Sequence, residues 1–140
     1  HKQVSDSLRS VFKDHKFIIM GDLNDNPDDK SVEKIMKVGD GSNGAGGSWL
    51  QNPFKDLYDE GKGSYVYRNN WNMYDQILVS SELNVSKAGI YISRNNVYRN
   101  GPKAGYPKRS YEGDSYINGY SDHLPVYIII DSREHHGHKN

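Results

Sequence analysis

The side chains able to do chemistry fall in three short segments: Asp22 and Asn24 in "MGDLND", Asp75 in "MYDQILVS", and Asp122 and His123 in "YSDHLPV". A carboxylate holds a hard divalent cation or takes a proton from water. A neutral amide steadies a non-bridging phosphate oxygen, and a histidinium stabilises the charge that develops on phosphorus. The set suits metal-assisted attack of water on a phosphate ester, with Asp75 able to orient the imidazole. Each residue also has a plainer reading. A Gly-Asp pair after an apolar run commonly makes a turn. An aspartate in an apolar strand can be satisfied by backbone amides, and a single histidine is more often a surface or packing residue. Only the combination carries weight.

The same region offers a second pattern. Asp22, Asn24, Asn26, Asp28 and Glu33 have the ligand spacing of a helix-loop-helix calcium loop. Position six of such a loop is a glycine, because the chain turns sharply there. This sequence has Pro27, whose ring fixes φ near about −65°. The preceding run, Phe17 to Met20, reads as a buried strand and not as a helix, so the calcium loop is set aside. A triad of Ser121, Asp122 and His123 is also set aside, since triad members meet in space and not as sequence neighbours. His135, His136 and His138 make a solvated tail with incidental affinity for transition metals.

An α/β chain whose strands outnumber its helices must position these residues. Val4, Leu8, Val11 and Phe12 recur with helical spacing and predict an amphipathic helix over 3–14. A strand at 17–21 follows. Asn26 is placed to cap a second helix, with Pro27 in its first turn, Asp28 and Asp29 at its positive end, and Val32, Ile35 and Met36 as its buried stripe, ending near Val38. Residues 39–48 read as a flexible loop. Within it Gly39, Gly41 and Gly44 fit the dinucleotide fingerprint, but that motif needs a strand entering and a helix leaving, and here a helix enters. Further strands are predicted at 64–68, 74–80, 85–92 and 125–130, with a long polar loop at 94–120. Asp22 and Asn24 then stand just past a strand's carboxyl end, on one face, where open α/β sheets place ligands. Asp122 and His123 precede the last strand, with Pro125 tolerated as its first residue.

Composition narrows the function classes. A chain of 140 residues is one domain or part of one. It has no apolar run approaching the ~18 residues of a membrane span. The absence of cysteine excludes disulfides, thiolate zinc sites and a cysteine nucleophile. Eighteen basic and eighteen acidic residues cancel, and neither half of the chain has the basic excess expected of a protein that grips a nucleic-acid backbone. A small phosphorylated substrate is therefore favoured over bulk nucleic acid. The compartment stays open, with a lean towards a secreted or periplasmic setting.

Taken in order, "MGDLND", "MYDQILVS" and "YSDHLPV" resemble the later motifs of the endonuclease/exonuclease/phosphatase superfamily, which includes DNase-I-like nucleases, abasic-site endonucleases, inositol-polyphosphate phosphatases and sphingomyelinases. The stretches "GKGSYVYRNNWNMYDQILVS" and "GYPKRSYEG" are more similar to a bacterial branch with poorly defined substrates than to the DNA-repair branch. The resemblance implies a DNase-I-like sandwich, two β-sheets packed face to face with flanking helices, and a Mg2+ cofactor, with Mn2+ as a substitute. By motif, Asp22 positions and deprotonates the attacking water and touches metal, while Asn24 holds a phosphate oxygen. Asp75 orients His123, His123 contacts the phosphoryl oxygens, and Asp122 ligates metal directly or through water. Leu23 replaces the family's usual aromatic, which is a packing change.

The family's earlier motifs, among them the glutamate that is the main metal ligand, precede the segment corresponding to Val4. The expectation is therefore that residues 1–131 are the carboxyl-terminal portion of one such domain, followed by a polar tail at 132–140. It is further expected that the chain alone is weakly active or inactive, and associates with itself or with the missing half through an exposed sheet face.

Two other classes stand beside the phosphoesterase. A glycosidase would use Asp22 and Asp75 as its acid pair but leaves Asn24, Asp122 and His123 without roles. A non-catalytic binding module would use the loop from Arg94 to Tyr120, rich in tyrosine and carrying Lys103, Lys108 and Arg109. In an enzyme the same loop would select substrate, with Lys108 and Arg109 clamping a second phosphate and Trp71 walling the pocket. Solvated surface is the plainer reading of those three.

Overall fold

A computed structural model of the chain describes residues 7, 10, 15–36, 38–39 and 49–131. The helix predicted over 3–14 lies outside them apart from Ser7 and Ser10, both helical, with the Ser10 hydroxyl donating to the Ser7 carbonyl at 2.8 Å. Gly41, Gly44 and the histidine-rich tail also lie outside the described residues.

The centre of the fold is the strand Asp75–Ser80, "DQILVS". A nearly continuous apolar run of this kind belongs in a strand covered on both faces, and residues Gln76 to Ser80 are all buried. Among the described residues it is β6 of ten short strands. Before it come β1 (Ile18–Asp22), β2 (Val38–Gly39), β3 (Leu50–Gln51), β4 (Tyr65–Tyr67) and β5 (Asn70–Asn72). After it come β7 (Val85–Ile90), β8 (Tyr111–Glu112), β9 (Ser115–Tyr116) and β10 (Val126–Ile130). A four-stranded sheet runs in the order β1-β6-β3-β2, with β1 and β3 antiparallel to β6 and β2 parallel to β3. β7 pairs antiparallel with β10 as a second sheet.

The two sheets meet through one face of β6. Ile77 and Val79 join Phe54 and Met73 in a buried cluster, and Val85, Ala88 and Ile90 of β7 and Val126 and Ile128 of β10 pack on it. Leu57 and Tyr58 of the one-turn helix α1 (Lys55–Asp59) close its margin. The chain is thus an α/β fold with sheets packed face to face, as expected. On the other face of β6, Gln76 is buried with its amide spent on the loop after β1: Nε2 donates to the carbonyls of Asp25 at 2.6 Å and Met73 at 2.8 Å, and Oε1 accepts from Asn52 at 2.7 Å. Asn52 in turn accepts the Phe54 N–H at 3.1 Å.

Several expectations are corrected. The strand at 17–21 is present but is not buried: β1 lies at the sheet edge, and Ile18 and Met20 are exposed at 46% and 68%. The helix expected from Pro27 to Val38 is a single π-helical turn, Ser31–Ile35. Asn26 does not cap it, because its side chain is committed across the fold, accepting the Met73 N–H at 2.9 Å and donating to Asn72 at 3.3 Å. Beyond that turn Val38 and Gly39 pair with Leu50 and Gln51, which ends the helical path. The 94–120 segment carries more structure than expected. Val97 bridges Pro107, and β8 and β9 form a hairpin turning at Gly113, which adopts φ 58°.

Candidate active site

Asp22 ends β1 and Asp75 begins β6, and the antiparallel register sets them directly opposite each other. The Leu23 N–H donates to the Tyr74 carbonyl at 2.8 Å, which makes Leu23–Tyr74 a hydrogen-bonded pair and Asp22–Asp75 the closer, non-hydrogen-bonded kind, with Cα atoms about 4.5 Å apart and side chains on one face. Two carboxylates so placed repel unless a proton or cation lies between or beside them. Asp22 Oδ1 also accepts the Asn24 N–H at 2.9 Å, closing a turn in which Asn24 adopts φ 53°. Alternation therefore stops at Asp22, and Asn24 sits in the turn beyond the strand, not on its face. Asparagine tolerates this left-handed conformation better than most residues.

Asp75 is held from two sides. Its Oδ2 accepts the Ser64 hydroxyl at 2.6 Å and lies 2.6 Å from His123 Nδ1. Ser64, fully buried, returns an acceptor to the Asp75 N–H at 3.1 Å. A carboxylate facing Nδ1 favours the tautomer that donates from that nitrogen. The imidazole stacks on Tyr65 at 4.6 Å between ring centroids, and Tyr65 stacks on Tyr74 at 5.6 Å. The backbone fixes this layering, since Tyr65 bridges His123 and the Leu124 N–H donates to the Ser64 carbonyl at 2.8 Å. About a quarter of each side chain in the Asp75–His123 pair remains accessible, so the pair is anchored yet reachable.

The β4–β5 hairpin delivers Ser64 and Tyr65. Its two turn residues, Arg68 and Asn69, both have positive φ, 49° and 66°, the geometry of a type I′ turn that matches strand twist. Gly63, just before it, runs so close to the Asn72 backbone that a Cβ there would overlap it. Trp71 lies on β5, opposite Val66, and makes an edge contact with Tyr106 at 5.6 Å.

The sequence-selected residues thus separate into groups. Asp22, Asp75 and His123 converge at one end of the sandwich, with Asn24 in the adjoining turn. Asp122 is exposed beside His123, and the Ser121 hydroxyl accepts the His123 N–H at 3.0 Å, a local turn and not a nucleophile–base contact. Lys108 belongs elsewhere, lining a cleft with Arg94, Arg99 and Tyr120. Arg109 is half-buried next to it. Sequence reasoning missed Ser64 and Tyr65, whose signal was only their place in a short strand candidate. It also missed Gln76, a polar residue within an apolar run.

Among the described residues no group of three His, Asp or Glu side chains is gathered as a metal cage. Mg2+ keeps several waters and is commonly held by one or two carboxylates together with substrate phosphates. The opposed Asp22 carboxylate and the exposed Asp122 fit that mode, whereas Asp75 is already committed to Ser64 and His123.

A family model described as the Endonuclease/Exonuclease/phosphatase family matches residues 1–132. Neither the curated proteins nor the solved structures include a significant match to the chain.

Proposed function

The chain belongs to the endonuclease/exonuclease/phosphatase family, and from that premise we propose that it is a Mg2+-dependent phosphoesterase in which His123, oriented by Asp75, serves the phosphoryl group. Family membership supports phosphoester hydrolysis in general. The observation that carries the finer reading is the 2.6 Å Asp75–His123 contact set beside an opposed Asp22.

In this reading Asp75 holds the imidazole with Nδ1 protonated, so that Nε2 faces the substrate and donates to a phosphoryl oxygen as charge builds there. Asp22 takes the proton from the attacking water, and the Asn24 amide donates to a non-bridging oxygen. Asp22 and Asp122 would hold Mg2+, which when bound would supply Lewis-acid stabilisation of the phosphoryl oxygens. Motif correspondence assigns a further metal-binding glutamate to a strand preceding these motifs in the family. We include its supply to the site as part of the proposal. A small phosphorylated substrate suits the balanced charge better than bulk nucleic acid.

The glycosidase reading loses support, because Asp75 is tied to Ser64 and His123 and is not free to flank a scissile glycosidic bond. The test is hydrolysis of bis(4-nitrophenyl) phosphate with Mg2+, by the chain alone and by a form extended with a glutamate-bearing strand. Turnover should be far higher in the extended form, vanish with EDTA, and fall about 100- to 1,000-fold in His123→Ala. Chelator-resistant turnover would overturn the metal assignment. An unimpaired His123→Ala enzyme would remove the histidine from the chemistry, and full activity of the chain alone would dispose of the added glutamate.

A further inference from the structure

Outside the carboxylate–histidine site, the segment 94–120 folds back on itself and encloses a cleft of about 290 Å³. Backbone bonds build it: Lys108 N–H to the Asn96 carbonyl at 2.8 Å, Tyr120 N–H to the Lys108 carbonyl at 2.9 Å, and Tyr98 N–H to the Tyr106 carbonyl at 2.9 Å. Gly119 allows the closure, since a Cβ there would overlap the carbonyls of Lys108 and Arg109. Three cations, Arg94, Arg99 and Lys108, line this cleft, and no carboxylate does. The nearby Lys103 and Glu112 pair with each other, while among the described residues none of the three lining cations forms an ion pair. Arg99 Nε donates to the Arg94 carbonyl at 3.1 Å, which fixes the guanidinium plane and leaves its terminal NH2 groups to other acceptors. Tyr98 also lines the cleft, and its hydroxyl is buried without a hydrogen-bond partner.

Like charges gathered around a polar cleft are unfavourable unless an anion joins them. A buried phenol without a partner is likewise unfavourable until something accepts or donates there. Two guanidinium groups and an ammonium suit a tetrahedral oxyanion with several acceptor oxygens. The cleft is also tied to the catalytic end: Tyr120 lies three residues before His123, and Tyr106 packs on Trp71, four residues before Asp75. We propose that the Arg94–Arg99–Lys108 cleft is a phosphate subsite that takes a second phosphate of the substrate, remote from the one hydrolysed. The assignment to substrate rests on the phosphoesterase reading; the binding of phosphate does not.

The test is a titration of the 140-residue chain with inorganic phosphate, followed by amide NMR. Saturable shifts are expected at residues 94–99 and 118–120. They should survive His123→Ala and disappear in Arg94→Gln/Arg99→Gln/Lys108→Gln, with Lys108→Gln alone weakening binding about tenfold should the triple variant not fold. Shifts absent from this segment, unchanged in the cation variants, or nonsaturating as for an adventitious ion, would overturn the subsite. In the active form, the cation variants should raise KM for a bisphosphorylated substrate about tenfold more than for a monophosphorylated one. An unchanged KM ratio with phosphate still bound by the parent chain would overturn the assignment to substrate and make free phosphate the occupant. Absence of turnover would count against the hydrolase and leave the titration to decide the cleft.

Discussion

Ser64 shows how much of the site depends on a residue with no chemistry of its own. It is fully buried, donates to Asp75 Oδ2 and accepts from the Asp75 N–H, so one hydroxyl fixes both the carboxylate and its backbone. Asp75 then has one orientation in which the same oxygen meets His123. Ser64→Ala removes both contacts and leaves a buried N–H without its acceptor, at a cost of about 1–3 kcal/mol. Its effect on turnover should be smaller than that of His123→Ala, about tenfold in kcat with KM little changed, because the imidazole stays in place but loses its fixed partner. The downfield Nδ1 proton signal of the imidazole, followed by NMR, distinguishes this from general destabilisation. It should broaden in Ser64→Ala at temperatures where the fold is intact, and a sharp, unshifted signal would mean that Ser64 does not position the pair.

At the scale of elements, the long-range polar ties explain what was legible in the sequence and what was not. The strands at 64–68, 74–80, 85–92 and 125–130 were readable because apolar and aromatic periodicity is a local signal, and each has a counterpart in the structure. The helix predicted after Pro27 does not form as such because Asn26, a cap by type and position, bonds Met73 and Asn72 with its side chain, 47 and 46 residues away in sequence. No local rule reports such a partner. Asp22 and Asp75 could each be marked as strand-edge carboxylates, but their direct opposition follows from the β1–β6 register, which only tertiary pairing sets. Gln76 has the same character, holding the Asp25 and Met73 carbonyls and the Asn52 amide together under β6. Gln76→Leu keeps the volume but leaves those groups unpaired, so it should destabilise the fold by about 3 kcal/mol or more. Chemical denaturation should show this as a lower midpoint with an unchanged slope. A loss under 1 kcal/mol would mean that the loop after β1 finds other partners.

At the scale of the molecule, one surface is out of keeping with a neutral, hydrophilic chain. Ile18 and Met20 share a face with Asp22, and opposite them in the ladder stand Val79 and Ile77, which belong to the core under β7 and β10. The sheet's inner face therefore continues onto β1, but the covering layer does not follow it there, and both side chains remain about half exposed or more. Among the described residues β6 is the one strand paired with β1, and this apolar strip lies beside its other edge. Such an edge is a template for pairing with another strand. A second copy of the chain offers the same self-complementary strip, and symmetric β1–β1 pairing would bury Ile18 and Met20 from both copies. Sedimentation equilibrium should show a concentration-dependent dimer, and Met20→Lys should shift it towards monomer about tenfold in dissociation constant by setting two like charges across the symmetric contact. The same substitution should leave the Asp75–His123 pair intact, as read from the Nδ1 proton signal. A parent chain that stays monomeric at millimolar concentration, or a Met20→Lys chain that dimerises as well as the parent, would show that β1 is not the contact.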